Sequence, residues 1–328
     1  MAKKKSGKIS VAIDLGGTNT KIALVDNKAN ILLRSVTPTS GYKNVDELIN
    51  GMVEGVLSLI RKKGLKKSNI AGVGIGTPGL VDSLNGVVYG LTNIPFWNNV
   101  PIKKIFEKKL KLKTFVDNDV NLMALGEFVH GAGQEVENII CLTLGTGVGG
   151  GIILNKRLYR GVSLSAGEIG HMVINEKGPE CMCGSFGCLE RYVGNRYIIQ
   201  SAVDKIKAGQ KSKITKIVKG NLKAVTPIIL EQAAKQGDKL ALSVWQETGA
   251  HIGTLLSGLV NFLNPEIIVI GGGIANAGRL IFEPIRKTVR QRAMTIPGKR
   301  VKILKAKLGD KAGLIGAAVL AARPEFRS

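Results

Sequence analysis

Aromatic residues are scarce in this chain: Phe, Trp and Tyr make up 5% of its 328 residues, with only 2 Trp. Acidic residues are scarce too, 24 Asp and Glu against 47 Lys and Arg, which leaves a formal charge of +23. There are 4 Cys, 3 His and 10 Pro. Each shortage excludes something. No apolar run approaches the ~18 residues of a membrane-spanning helix. The basic start, Met1 to Lys8, meets Asp14 and its glycines before a signal-peptide core could form, so the expected location is cytoplasmic. So few cysteines do not make a disulfide scaffold. The 42 Gly follow no fixed period, which removes collagen-like folds.

The cationic surplus favours anionic partners. Nucleic acid is nonetheless disfavoured, because stacking on bases needs aromatic platforms and neither a Cys2His2 spacing nor an RNP-like motif occurs. The lysines fall in scattered runs, Arg61, Lys62, Lys63, Lys66 and Lys67, then Lys103, Lys104, Lys108, Lys109, Lys111 and Lys113. Such runs read as solvated faces. With 44% hydrophobic residues, the chain has material for one large domain or two ordinary ones.

Apolar alternation from Ile9 to Asp14, a break at Leu15–Asn19 and a return from Ile22 to Val25 predict an antiparallel hairpin. Val45, Leu48, Ile49, Met52, Val53, Val56, Leu57 and Ile60 recur at helical spacing. Strands are expected at 71–75 and 114–117. The second half repeats the grammar: strand 138–144, glycine turn 145–150, return strand 151–154. A long helix from about 238 to 262, a buried strand 267–270 and a helix from Arg279 follow, with a last helix around 311–323. Two halves that each open strand, glycine turn, strand describe an α/β protein with a duplicated plan. A cleft between domains is where a phosphorylated ligand is expected.

Three glycine turns carry candidate chemistry. Asp14-Leu15-Gly16-Gly17-Thr18-Asn19-Thr20-Lys21 can turn backbone N–H groups toward a phosphate, with the Thr18 hydroxyl as a further donor. Asp14 is itself anionic and makes sense beside a phosphate only with Mg²⁺ between them. Lys21 either offsets phosphate charge or sits solvated on the return strand. Thr146 and Gly147, in the second turn, offer the same chemistry; both turns can equally be plain glycine hairpins. Gly271-Gly272-Gly273 would let adenosine lie against the backbone, or simply connect a strand to a helix.

Two dinucleotide-type G-x-G-x-x-G matches, Gly74/Gly76/Gly79 and Gly145/Gly147/Gly150, are decoys. Pro78 in the first keeps Thr77 from helical geometry, and the second runs into the strand-like Ile152-Ile153-Leu154. No Walker A sequence occurs.

His171, Cys181, Cys183 and Cys188 form the sharpest cluster, using three of the four cysteines. Imidazole and thiolates suit a closed tetrahedral Zn²⁺ site, which is structural because no position stays open for water. The alternative is a handful of buried thiols. Cys141, on an apolar strand, reads as core. Glu168 and Glu190 flank the cluster and could face one polyhydroxy ligand, or merely cap helices. Asp119, after Asp117-Asn118, ends a strand where a helical pattern begins. It is expected as that helix's N-cap and as a carboxylate able to take an alcohol's proton in phosphoryl transfer. Alternation turns Asp117 the other way.

These segments resemble the ROK family of sugar kinases and regulators, most closely its bacterial glucokinases. The matching residues are Asp14–Thr18, Gly76-Thr77-Pro78-Gly79, Asn118-Asp119-Val120-Asn121, Leu144–Gly147, Gly167–His171 and Cys181–Glu190, spread over essentially the whole chain. The resemblance implies an actin- and hexokinase-like α/β fold of two domains, 1–117 plus 310–328 and 118–309, with a zinc loop in the latter. It implies transfer of the ATP γ-phosphoryl group, with Mg²⁺, to the 6-hydroxyl of a hexose, glucose foremost, with Asp119 as base. Gly79, Asn93, Asn118, Glu168, His171 and Glu190 would hold the sugar. Gly16, Gly17, Thr18, Thr146 and Gly147 would contact phosphates, and Gly272 adenosine. It also implies a homodimer. Mannose, N-acetylglucosamine or fructose as substrate and polyphosphate as donor stay open. So does a sugar-responsive regulator, although only eight residues precede the first expected strand.

Overall fold

The computed structural model describes residues 8–91 and 94–327. The first unit opens as an antiparallel hairpin of β1 (Ile9–Leu15) and β2 (Asn19–Val25), with Asp14 opposite Lys21, and β3 (Ile31–Pro38) pairs outside β2. Helix α1 (Val45–Lys62) begins where the Asn44 side chain accepts the Glu47 N–H, and it buries Leu48, Ile49, Met52, Val53, Val56, Leu59 and Ile60. That is the apolar stripe expected from the spacing. β4 (Ile70–Thr77) runs parallel to β1. A small antiparallel sheet of β5 (Val81–Asp82), β6 (Val87–Leu91) and β7 (Ile94–Val100) follows.

Helix α2 (Ile102–Leu110) forms inside the second lysine run. Ile102, Phe106 and Leu110 are buried every fourth residue, while Lys104, Lys108 and Lys109 stay exposed. The run is therefore the wet side of an amphipathic helix. β8 (Thr114–Asn118) then pairs parallel with β4 and leads into α3 (Asp119–His130), completing a sheet in the order β3-β2-β1-β4-β8.

The second half repeats this order. β9 (Ile139–Leu144), β10 (Val148–Leu154) and β11 (Arg157–Tyr159) precede α4 (Glu190–Val193), α5 (Asn195–Lys207), α6 (Lys213–Ile217) and α7 (Pro227–Lys235). The long α8 (Lys239–Leu263) starts where Asp238 accepts the Ala241 N–H at 2.7 Å and stops at Asn264 in the left-handed conformation. Then come β12 (Ile267–Gly271), α9 (Arg279–Arg292), α10 (Thr295–Arg300) and β13 (Lys302–Lys305), the two strands parallel. This sheet runs β11-β10-β9-β12-β13, so third, second, first, fourth and fifth strands recur in both sheets. No described helix is long and apolar enough to cross a membrane.

The last helix, α11 (Ala312–Ala322), packs on β1, β4 and α3. The compact units are Met1–Ile139, Gly151–Gly167 and Lys307–Ser328 on one side, and Ile140–Gly150 with Glu168–Ala306 on the other. Their bounds differ from the expected division at 117 and 310. Small residues explain why α3 stays with the first unit: Gly316 of α11 lies against the Leu122 carbonyl, and Gly126 of α3 lies against the Ala312 carbonyl. The decoy glycines find their use here. A Cβ on Gly74 would collide with the Ala317 carbonyl, so β4 meets α11 backbone to backbone, and no helix follows β4 to make a dinucleotide turn.

We predict that Gly74→Val destabilises the fold by about 1–3 kcal/mol through overpacking. Thermal unfolding should show a lowered midpoint, while Gly41→Ala, whose Cβ would meet nothing within 4 Å, serves as the neutral comparison. Equal midpoints for the two variants would refute close β4–α11 packing.

Candidate active site

The first glycine turn is closed by the Gly16 N–H donating to the Asn19 carbonyl at 3.1 Å. Buried Thr39, just beyond β3, pins it: its N–H donates to the Thr18 carbonyl at 2.8 Å and its hydroxyl to the Gly16 carbonyl at 2.7 Å. Nothing in the sequence marks Thr39, because the contact spans 23 residues. The Thr18 side chain is exposed, with Gly16 and Gly17 half-buried. Lys21 is not simply solvated: its Nζ donates to Asp14 Oδ2 at 3.0 Å. A carboxylate at a strand end beside a phosphate-type turn is a hard oxygen donor of the kind Mg²⁺ takes. Here its charge is already balanced in part by the lysine.

In the same unit, β8 hands over to α3 at Asn118. The expected N-cap was Asp119; the structure corrects this by one residue. Asn118 keeps extended geometry, and its Oδ1 accepts the N–H of Val120 at 2.8 Å and of Asn121 at 3.4 Å. Capping thus falls to an uncharged amide, leaving Asp119 as the first helical residue, half-exposed, with its Oδ1 also near the Val120 N–H at 2.9 Å. Asn118 Nδ2 donates to the Gly79 carbonyl at 3.2 Å, which brings two of the expected sugar contacts together. Gly79 adopts φ +79°, and a Cβ there would lie 2.5 Å from the Gly90 carbonyl, so glycine is required on both counts. Asn93 lies outside the described residues. Asp117, as alternation suggested, faces away into the core, 2% exposed.

The second unit carries the other expected residues. Thr146 is exposed on the turn after β9, and Gly147 leaves room for a carboxylate: a Cβ there would sit 2.6 Å from Glu190 Oε2. That same oxygen accepts the Val148 N–H at 2.9 Å. Glu190 is the first residue of α4, two past Cys188, so it links the cysteine loop to the glycine turn. Gly272, at φ +84°, backs directly onto the Leu144 backbone, which sets the third glycine turn beside the second. Exposed Glu168 precedes a single 3-10 turn, Ile169–His171, and its carbonyl accepts the His171 N–H at 3.0 Å.

The imidazole of His171 and the thiols of Cys181, Cys183 and Cys188 lie within 4.8 Å of one another. Cys181 Sγ is 3.7 Å from His171 Nδ1, and Cys183 Sγ is 3.7 Å from Cys188 Sγ. Cys141 is separate and fully buried. The donor chemistry fits Zn²⁺. The Ser185 N–H draws Cys183 below the ordinary thiol range, while burial and the neighbouring sulfurs push Cys188 up to about 12. Three thiols this close cannot all ionise without a cation to share, and a soft divalent ion supplies that charge.

The model of the family described as "ROK family" matches residues 10–324. The chain is 34% identical over 316 residues to a glucokinase of Halalkalibacterium halodurans, covering 96% of this chain and 95% of that protein. It is 31% identical over 306 residues to a xylose repressor of Caldicellulosiruptor bescii, covering 93% and 76%. Among solved structures, a ROK family glucokinase from Streptomyces griseus in complex with glucose and AMPPNP superposes with a TM-score of 0.80 at 32% identity, covering 95% of this chain and 98% of that one.

We predict that the purified protein carries about one Zn²⁺ per chain and that Cys183→Ala loses it, with a lowered thermal midpoint. Metal analysis of both proteins checks this. A wild-type protein free of zinc and as stable as the zinc-loaded form would overturn the assignment.

Proposed function

Because the chain belongs to the ROK family, we propose that it is an ATP-dependent hexose kinase acting at the 6-hydroxyl, with glucose as the principal acceptor. The observation that carries this is the turn at Asn118: the amide cap and the Gly79 contact hold a half-exposed carboxylate, Asp119, at a strand-to-helix junction. The similarity to a glucokinase solved with glucose and AMPPNP supports both the acceptor and the donor.

On this reading the 6-hydroxyl oxygen attacks the γ-phosphorus. An O–P bond forms to the sugar, the bond to the β,γ-bridging oxygen breaks, and ADP leaves with that electron pair. The hydroxyl proton passes to Asp119. Phosphoryl transfer needs positioning more than a strong base, so a carboxylate held at a helix start suffices to orient the hydroxyl and take the proton late. Within the first unit, Asp119, Asn118 and Gly79 are assigned to the sugar and the turn of Gly16, Gly17 and Thr18 to phosphate. Within the second, taken by itself, Thr146 and Gly147 are assigned to phosphate, Gly272 to adenosine, and Glu168, His171 and Glu190 to sugar hydroxyls.

Mg²⁺, held through Asp14, would spread the charge of the transferring phosphates. Lys21 remains beside that carboxylate and lowers the repulsion between Asp14 and the donor. Zinc on His171, Cys181, Cys183 and Cys188 would fix the loop that presents Glu168 and Glu190. Binding of this loop to sugar gives the zinc a structural part in specificity. We further propose a cytoplasmic homodimer. The likeness to a xylose repressor favours one second reading, a sugar-responsive regulator, which duplex-DNA binding would reveal.

We predict that Asp119→Asn lowers kcat by about 10²–10⁴-fold, the usual contribution of a positioned acid–base group, and leaves hexose affinity near that of the wild type. A coupled assay crossing glucose, mannose, N-acetylglucosamine and fructose with ATP and polyphosphate, run beside calorimetric sugar binding, measures both. Undiminished turnover would remove Asp119 as base; no turnover by wild type with any pair, together with DNA binding, would favour the regulator.

A further inference from the structure

We propose that Arg160 is a positioning residue for phosphoryl transfer, acting on Asp119 through Asp117; this rests on Asp119 being the base. Arg160 follows β11 and is 6% exposed, deep in the first unit. Its Nε donates to Asp117 Oδ2 at 2.8 Å, and its Nη2 lies 2.8 Å from the same oxygen. The other carboxylate oxygen, Asp117 Oδ1, accepts the Asn118 N–H at 2.8 Å and Asn121 Nδ2 at 2.9 Å. One buried carboxylate therefore grips the residue before Asp119 and the residue two after it. Asn118, held this way, caps α3 and reaches Gly79.

The guanidinium has a second task. Nη2 donates to the Phe326 carbonyl at 2.6 Å, and the Phe326 ring packs edge-on against Phe128 of α3, with centroids 6.1 Å apart. Arg160 thus ties three segments distant in sequence, the β8–α3 turn, its own loop and the turn of residues 324–326, around one point behind Asp119. A planar fork with several donors can serve a carboxylate and a carbonyl at fixed angles; a lysine ammonium cannot reproduce both. A buried ion pair gives little net stability over apolar packing, so its value here lies in geometry. Misplacing a reacting group by about 1 Å can cost about 10²-fold in rate.

The test compares Arg160→Lys with Asp119→Asn in the glucose and ATP assay, reading kcat and both KM values per folded molecule, alongside thermal midpoints. Arg160→Lys keeps the charge, and we expect kcat to fall roughly ten- to a hundredfold with hexose KM within about twofold of wild type. Wild-type kcat in Arg160→Lys, or a change in hexose KM alone, overturns the proposal. If Asp119→Asn is inactive while Arg160→Lys is fully active, the base assignment stands and only Arg160 falls; if Asp119→Asn turns over normally, the base assignment and with it this proposal fall. Should Arg160→Lys not fold, the charge-neutral pair Asp117→Asn with Arg160→Gln replaces it: slow turnover at near wild-type KM supports positioning, and wild-type kcat overturns it.

Discussion

The Asp117 carboxylate is the buried group on which the turn from β8 into α3 depends. It is buried and charged, so it must find donors for both oxygens or destabilise the fold, and it finds a backbone N–H, an amide and a guanidinium. Removing one member of such a buried pair typically costs about 3–5 kcal/mol, because the other is left unpaired in a poor solvent for charge. That penalty is what makes the turn rigid. A strand that must deliver its last residues in one register, followed at once by a capped helix, leaves Asp119 little freedom beyond its own side-chain rotation.

The same economy of backbone donors appears elsewhere. Glu127, fully buried on α3, has no lysine or arginine side chain paired with it among the described residues. Its carboxylate accepts the N–H groups of Ala132 at 2.8 Å, Lys307 at 3.1 Å and Leu308 at 2.7 Å, closing the end of α3 against the segment that enters α11. In the second unit Glu190 does similar work for Val148. Three carboxylates, each placed at or near a helix start or end, hold loops by accepting N–H groups. In a chain with 24 acidic residues and 47 basic ones, these few acids are committed to architecture and chemistry rather than to surface pairing.

The zinc cluster and the glycine turns belong together for a physical reason. The loop from His171 to Cys188 has little regular structure beyond one 3-10 turn and two isolated bridges, Val173 with Cys188 and Glu180 with Phe186. Exposed Met182 and Phe186 give it little core of its own. Four ligands on one ion would replace that missing core, and Glu190, close behind the last of the four side chains, reaches the turn at Gly147.

Much of this was legible in the residues themselves, and the reason is locality. The hairpins, the α1 stripe, the capped α8, the four metal ligands and the glycine turns are each specified within about 20 residues, where periodicity, caps and ligand spacing act. The lysine run over α2 hid a helix because its apolar positions are only three, and the cap at Asn118 differed by one residue because Asn and Asp compete for the same role. What only the tertiary structure decided is long-range: Thr39 pinning the first turn, Arg160 reaching Asp117 and Phe326, and Gly74 yielding to α11. None of these residues carries a mark in its own neighbourhood. Each is chosen by what the packed chain places against it, and sequence neighbours cannot encode a partner 43 or 166 positions away.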